Sequence, residues 1–262
     1  MMRWWLWVPA AAAMLCAPCE ARASDWKEIK GDHFVVYYAA DEIFAKDTLR
    51  HAETYYTRIA DDLGYNRFSY WNWDNRVKIF IYPDEATFHK ATGQPEWSKG
   101  LADYTAKEIS TFNWNKEFQE TLLPHEIGHL IFRDFVGFKG QVPLWLDEGV
   151  AQWQEPQRRP IARQAGYTVM LKRGVYPFEQ FTSISSLDDR SKTDVHHFYM
   201  QALSVVDFLI KQHGTVLFTQ FCRQLRDGKS LNDALKSAYA QAIPNQSALE
   251  EKWLKYVSPP GS

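Results

Sequence analysis

Hydrophobic and polar positions follow a strand-like pattern early in this chain. "HFVVYYA" (33–39) is rich in β-branched and aromatic residues and predicts a strand. "DEIFAKDTLRHAETYYTRIADDLG" (41–64) has apolar positions at helical spacing, an acidic start and a glycine stop, which predict a helix. "RVKIFIYPD" (76–84) alternates and predicts a second strand, and the more polar "AKEISTF" (106–112) predicts a third at a sheet edge. These elements indicate a small mixed sheet packed on a long helix.

The pattern becomes helical after residue 116, where apolar residues recur every three or four positions. Gly214 and Gly228 stand at boundaries between helical segments, and Pro244 prevents the continuation of another. The predicted helices are 117–136, 143–154, 194–213, 215–227, 230–242 and 247–257.

Strands that precede helices favour an α+β architecture. At 262 residues and 45% hydrophobic, the chain can bury one sizeable core. No internal repeat or low-complexity linker interrupts it. We therefore interpret 24–262 as one domain, with a sheet lobe over 24–116 and a mainly helical lobe over 117–262.

The first residues, "MMRWWLWVPAAAAMLCAPCEARASDW", differ from the rest. Arg3 is followed by an apolar stretch too short to span a bilayer and then by the small-x-small sequence Ala21-Arg22-Ala23. This pattern predicts an export signal over 1–23, and hence a periplasmic or extracellular protein without stable membrane insertion after cleavage. The alternative is an uncleaved N-terminal anchor, which Pro9 and the short length disfavour.

Charge and cysteine content narrow the partners and the chemistry. The formal net charge is −2 with no long run of one sign, so no nucleic-acid or anionic-membrane partner is predicted. Cleavage of the signal would remove Cys16 and Cys19 and leave Cys222, which cannot form an internal disulfide. Cys222 lies in an apolar helical pattern and is predicted to be a buried small side chain, not a nucleophile.

The segment "LLPHEIGHLIF" (122–132) places polar side chains in an otherwise apolar helix. Residues four apart share one helix face with Cβ atoms roughly 5–6 Å apart, so His125 and His129 can bind one metal ion. Glu126 is turned about a quarter of a circle away and can reach a metal-bound water. This is the H-E-x-x-H arrangement of zinc peptidases, although it arises by chance in about one chain in a hundred of this length.

A catalytic zinc ion needs a third protein ligand and an open fourth position. A third histidine six residues past the second would fall at Phe135, so that solution is absent. The other solution is a glutamate on a second helix, and "PLWLDEGVAQW" (143–153) supplies Glu148 after eighteen intervening residues. A loop through glycines and Pro143 would turn this helix back onto the first. Two histidines and one carboxylate suit Zn²⁺ and leave room for water.

The sequence His125-Glu-Ile-Gly-His129, followed by Glu148 within W-L-D-E-G-V-A, resembles the gluzincin metallopeptidases. In spacing it is similar to the aminopeptidase branch and to minimal peptidase MA-like domains of exported bacterial proteins. The resemblance extends to a downstream helix, "FYMQALSVVDFL", in which Tyr199 matches a family tyrosine. It implies a zincin-like fold with the zinc site in the cleft between the lobes, His125, His129 and Glu148 as metal ligands, and Tyr199 as a catalytic residue.

Each candidate residue has a structural alternative. Glu148 could be a surface acid, but it lies between Leu146 and Val150, where burial without a cation would be costly. Tyr199 could be a core tyrosine with a satisfied hydroxyl.

Four further polar residues lie beside the candidates. His196 and His197 are interpreted as surface or helix-start residues, either of which could assist an oxyanion. Asp147 and Gln152 could orient a ligand imidazole through its free N–H, without a ligating role.

The implied reaction is zinc-dependent hydrolysis of a peptide bond. Zinc lowers the pKa of its water toward about 7, and Glu126 takes the proton and passes it to the leaving amine. Tyr199 then donates its O–H to the oxyanion. The aminopeptidase branch carries G-x-M-E-N before the first zinc helix, a motif that "KGLADYTAKEISTF" lacks. We therefore expect an endopeptidase acting on envelope or extracellular proteins or peptides, with backbone pairing to strand 106–112.

Two alternatives remain open. The first is a zinc hydrolase acting on a non-peptide amide or a cell-wall crosslink. The second is a metal-stabilised binding module without turnover, which an intact Glu126 disfavours because a structural site needs no general base.

Overall fold

The computed structural model describes residues 26–64, 71–96, 98–114, 116–137 and 142–259. The predicted export signal over 1–23 lies outside them. The chain forms two compact units. Their described parts are, for the first unit, 26–58, 71–96, 98–114 and 116–130, and for the second, 59–64, 131–137 and 142–259.

The first unit contains a mixed sheet, as predicted. The strands are β1 (Lys27–Lys30), β2 (Phe34–Tyr38), β3 (Val77–Tyr82), β4 (Gly100–Asp103) and β5 (Glu108–Phe112). They are arranged in the order β1-β2-β3-β5-β4. The β2–β3 and β3–β5 pairs are parallel, whereas β1–β2 and β4–β5 are antiparallel.

The prediction that 106–112 lies at a sheet edge is wrong. β5 pairs with β3 on one side and with β4 on the other. Strand β4 reads Gly-Leu-Ala-Asp, which lacks the β-branched and aromatic residues that mark a strand, so its pairing could not be seen in the sequence. Among the described strands, β1 and β4 end the order.

The sheet packs on the long helix α1 (Glu42–Asp62), as predicted. Glu53 Oε1 accepts the backbone N–H groups of His33 at 2.9 Å and Phe34 at 3.2 Å, and Glu53 Oε2 lies 2.7 Å from His33 Nδ1. The His33 ring stacks on Tyr56 with centroids 3.7 Å apart. These contacts join the start of β2 to α1.

A short helix, α2 (Glu85–Thr92), was not predicted. Asp84 caps it by accepting the backbone N–H of Thr87, and Gly93 ends it at φ +68°. Its buried Phe88 packs against Tyr82 and Phe112 of the sheet.

Helix α3 (Leu123–Val136) contributes its first eight residues to the first unit and the remainder to the second. In the described part of the second unit the elements are helical, in agreement with the predicted pattern. Gly214 and Gly228 mark boundaries with φ of +83°, a conformation that glycine adopts without strain. The remaining helices are α4 (Leu144–Gln154), α5 (Ala162–Leu171), α6 (Phe178–Ser183), α7 (Lys192–His213), α8 (Thr215–Arg226), α9 (Leu231–Tyr239) and α10 (Gln246–Val257). Of these, α5 and α6 were not predicted.

Cys222 is fully buried in α8, and burial raises the pKa of its thiol well above the ordinary value. The prediction of an inert core thiol agrees with this placement. No helix in the described ranges combines the length and the apolarity that crossing a bilayer requires.

Helix α7 is the centre of the second unit and packs against α4 and α5. Its buried Asp207 accepts from Trp153 Nε1 at 2.8 Å and Tyr256 O–H at 2.8 Å, and pairs with Lys211 Nζ at 2.9 Å. Burial and the Asp207 carboxylate raise the pKa of Tyr256. This network joins α4 and α10 to α7, because each contributes a donor to the same carboxylate.

Glycine at position 149 lets α4 and α7 approach closely. An ideal Cβ built on Gly149 would lie 2.6 Å from Ala202 O and 2.7 Å from Val206 Cγ2. Because one of these atoms belongs to the α7 backbone, the contact cannot be relieved by a side-chain rotation. Gly149 therefore determines how closely the helix carrying Glu148 packs on α7.

We expect Gly149→Ala to lower the free energy of unfolding by about 1–3 kcal/mol, the usual cost of overpacking a core. Urea unfolding of the full chain measures the change. Gln164→Ala on the exposed face of α5 is the control and should stay within about 0.5 kcal/mol of wild type. Equal midpoints for Gly149→Ala and wild type would contradict the close α4–α7 contact.

Candidate metal site

A π-helical turn, Phe118–Leu122, precedes α3 within the segment predicted as one helix over 117–136. The Leu123 N–H bonds to Phe118 O, five residues back. Pro124 follows directly; it has no N–H, and its ring would clash with the carbonyl four residues back, Glu120 O. The wider turn relieves that clash, and it sets the direction of α3 immediately before His125.

The two histidines of α3 each direct a ring nitrogen toward the same point. His125 Nε2 and His129 Nε2 lie 3.2 Å apart, and the ring centroids are 4.8 Å apart at 78°. Two nitrogens that each bind a tetrahedral zinc ion at about 2.0–2.1 Å would be roughly 3.3 Å apart. The pair is therefore spaced as two ligands of one ion.

Glu126 lies beside this pair and is 3% exposed. The Tyr104 O–H donates to Glu126 Oε2 at 3.2 Å, and the Tyr104 ring lies 5.5 Å from the His129 ring. Sequence reasoning missed Tyr104. It lies 22 positions from Glu126, and no local pattern connects the two.

Glu148 occupies the first half of α4 and is 2% exposed. Arg133 of α3 donates through Nε to Asp147 Oδ2 at 3.2 Å and through Nη2 to the same oxygen. This ion pair joins α3 to α4 at the residue before Glu148. Gln152 Nε2 donates to Glu148 O at 3.2 Å, and Arg158 Nη1 donates to Gln152 Oε1.

Asp147 and Gln152 were predicted to orient a ligand imidazole. That role stays a prediction. The observed bonds show that Gln152 donates to the main chain of Glu148 and that Asp147 pairs with Arg133. Both hold the α4 segment that carries Glu148.

His125, His129 and Glu148 form a group that could hold a metal ion. One ligand atom of each lies within 4.8 Å of the others. Two imidazole nitrogens and one carboxylate oxygen match the donor set that zinc prefers in catalytic sites. Burying the Glu148 carboxylate without a cation would be costly, so the charge of the site also fits a divalent ion.

Tyr199 lies in α7 and is 8% exposed. It is one turn before Ala202, whose carbonyl meets the position of Gly149 next to Glu148. The helix carrying Tyr199 therefore packs on the helix carrying Glu148. The catalytic role of Tyr199 stays a prediction.

His196 and His197 also lie in the first half of α7 and are half-buried. Burial lowers the pKa of His196, with a smaller contribution from neighbouring cations that include His197. The His197 ring packs so closely on Gly174 that a Cβ there would lie 2.2 Å from its Nδ1. His197 is therefore part of the packing of this unit.

Comparison with protein families finds a match to the Peptidase MA superfamily over residues 65–259. This range includes both histidines of the group, Glu148 and Tyr199. No curated protein matches the chain.

Among solved structures, a mutant of an M1 zinc metallopeptidase from Deinococcus radiodurans is similar, with 16% sequence identity and a TM-score of 0.46. The match covers 90% of this chain and 52% of that chain. The present chain thus spans about half the length of that metallopeptidase.

Proposed function

This chain belongs to the Peptidase MA superfamily, and from that premise we propose that it is a zinc-dependent peptidase. The observation that carries the proposal is the convergence of His125, His129 and Glu148 within 4.8 Å, with Glu126 next to the first histidine. A site built only for structure would not require the glutamate.

In the proposal, His125 Nε2, His129 Nε2 and a Glu148 carboxylate oxygen hold Zn²⁺. The chemistry that zinc supplies in such a set is acidification of a water and polarisation of the scissile carbonyl. Arg133 and Gln152 keep Glu148 in place through Asp147 and through the main chain.

Glu126 acts as general base and then as general acid. Its carboxylate takes a proton from the attacking water and delivers that proton to the leaving amine. Tyr199 is the proposed donor to the oxyanion, an interaction that strengthens in the transition state.

The proposed substrate is an extended polypeptide, cleaved internally. Strand β4 ends the order of the described strands, so its outer edge offers backbone groups for pairing with a peptide. The residue after β4, Tyr104, bonds Glu126, so a peptide on this edge would run toward the general base. No G-x-M-E-N motif is present in this region to grip a free N-terminal amine.

The proposed substrates are envelope or extracellular proteins, because the sequence of residues 1–23 predicts an export signal. The partner is therefore a peptide or protein, bound transiently in the course of turnover.

The test is hydrolysis of one internally quenched peptide library in two forms, with free and with acetylated N-termini. We expect the purified full chain to cleave both forms, to lose activity after treatment with a chelator and to regain it with Zn²⁺. Cleavage restricted to free N-termini would contradict the endopeptidase assignment. Bound zinc without hydrolysis of any peptide would contradict the peptidase proposal and favour the binding module or the non-peptide amide hydrolase.

A further inference from the structure

We propose that Tyr104 is a positioning residue for the general base, holding the Glu126 carboxylate in the orientation that proton transfer needs. This inference rests on the proposed function and assigns a role to a residue outside the H-E-x-x-H sequence. The observation is the hydrogen bond from the Tyr104 O–H to Glu126 Oε2 at 3.2 Å.

The backbone on both sides of Tyr104 is held in place. Asp103 pairs with Glu108 across the β4–β5 hairpin, and its Oδ1 accepts the backbone N–H groups of Thr105 and Ala106, each at 2.9 Å. Lys107 closes the turn at φ +55°, in the left-handed region, and its carbonyl accepts the Lys78 N–H at 3.0 Å. Tyr104 therefore projects from a braced turn.

The Glu126 carboxylate needs a hydrogen-bond donor to fix its orientation, because it rotates easily about the terminal side-chain bond. Rotation of a glutamate carboxylate about its terminal bond is broad, with only a weak two-fold preference. A donor on Oε2 removes that freedom and leaves Oε1 to receive the proton of the attacking water. Restricting a catalytic group to its reactive geometry is a recognised source of rate.

The surroundings strengthen this bond. Glu126 is 3% exposed and His129 is 2% exposed, so little water competes for the carboxylate. Hydrogen bonds to ionised groups are roughly twice as strong as neutral ones, and they gain further strength away from water. The Tyr104 ring, 5.5 Å from the His129 ring, also fills space beside the predicted ligand.

Tyr104→Phe removes the hydroxyl and keeps the ring. We expect kcat for peptide hydrolysis to fall roughly 10- to 100-fold, the effect of losing one hydrogen bond to a charged group. KM and zinc content should stay at wild-type values, and the variant should remain folded. Thr105→Ala, exposed in the same turn, is the matched control and should retain wild-type kcat.

A double-mutant cycle with Glu126→Asp separates positioning from a direct role on the substrate. The shorter side chain withdraws the carboxylate from Tyr104, so the Phe substitution should then cost less than about two-fold. A full loss in the Asp background, or wild-type kcat in Tyr104→Phe alone, would overturn the inference. If the wild-type protein binds zinc but hydrolyses no peptide, the result would instead contradict the proposed function. That outcome is seen before any variant is compared.

Discussion

Glu126→Gln is expected to lower kcat for peptide hydrolysis by roughly 10²–10⁴-fold, the usual contribution of a general acid–base group. Glutamine has nearly the same shape, so the packing around position 126 is kept. Its neutral amide cannot take a proton from water or pass one to the leaving amine. The loss therefore isolates proton transfer from substrate binding.

The zinc content of the same preparation must be measured together with its activity. Glu126 is not a proposed ligand, so the variant should retain as much zinc as wild type. Glu120→Gln removes the same charge from an exposed position in the π-helical turn before α3 and should keep full activity. Undiminished hydrolysis by Glu126→Gln would remove Glu126 from the mechanism, whatever the zinc content.

Long periodic elements could be predicted from the sequence because their signals are local. Helix α1 has an acidic start and a glycine stop, and the ends of α7 and α8 coincide with Gly214 and Gly228. The H-E-x-x-H spacing predicted that His125 and His129 would share a helix face, and their Nε2 atoms lie 3.2 Å apart.

Elements that depend on long-range pairing could not be predicted in this way. Strand β4 has four residues and weak strand composition, and its partner β5 is what makes it a strand. Missing it led to the incorrect edge position for 106–112. The Tyr104–Glu126 contact was missed for the same reason, since the hairpin that delivers Tyr104 is defined by that pairing.

The partner of a polar residue beside a candidate ligand could not be predicted from its residue type alone. Asp147 precedes Glu148, and an acid there could orient an imidazole or pair with a cation. The structure pairs it with Arg133, one turn beyond His129 on α3. Nothing in the sequence shows that Arg133 is a partner of Asp147, because that contact depends on how α4 packs.

Glu148→Gln is expected to abolish most of the zinc-dependent stabilisation of the protein. A ligand that binds only the folded state stabilises it by about 2.7 kcal/mol at a concentration 100 times its Kd. Changing residues that merely support a ligand weakens metal binding about 10- to 100-fold, so removing the one charged ligand should reach at least the upper value. At the same zinc concentration, a Kd raised 100-fold leaves a gain of about 0.4 kcal/mol.

Urea unfolding with and without Zn²⁺ measures how much zinc raises the free energy of unfolding of wild type and of the variant. The measurement does not depend on any substrate. Glu179→Gln, exposed on α6 in the same unit, removes an equal charge away from the site and should keep the wild-type gain. Without zinc, the variant should unfold at or near the wild-type midpoint, because the amide preserves the packing between Leu146 and Val150 and no longer has to be buried as an anion. If Zn²⁺ raised the free energy of unfolding of Glu148→Gln as much as that of wild type, Glu148 would be excluded as a ligand. A metal ion held by the two imidazoles alone would be unaffected by the substitution.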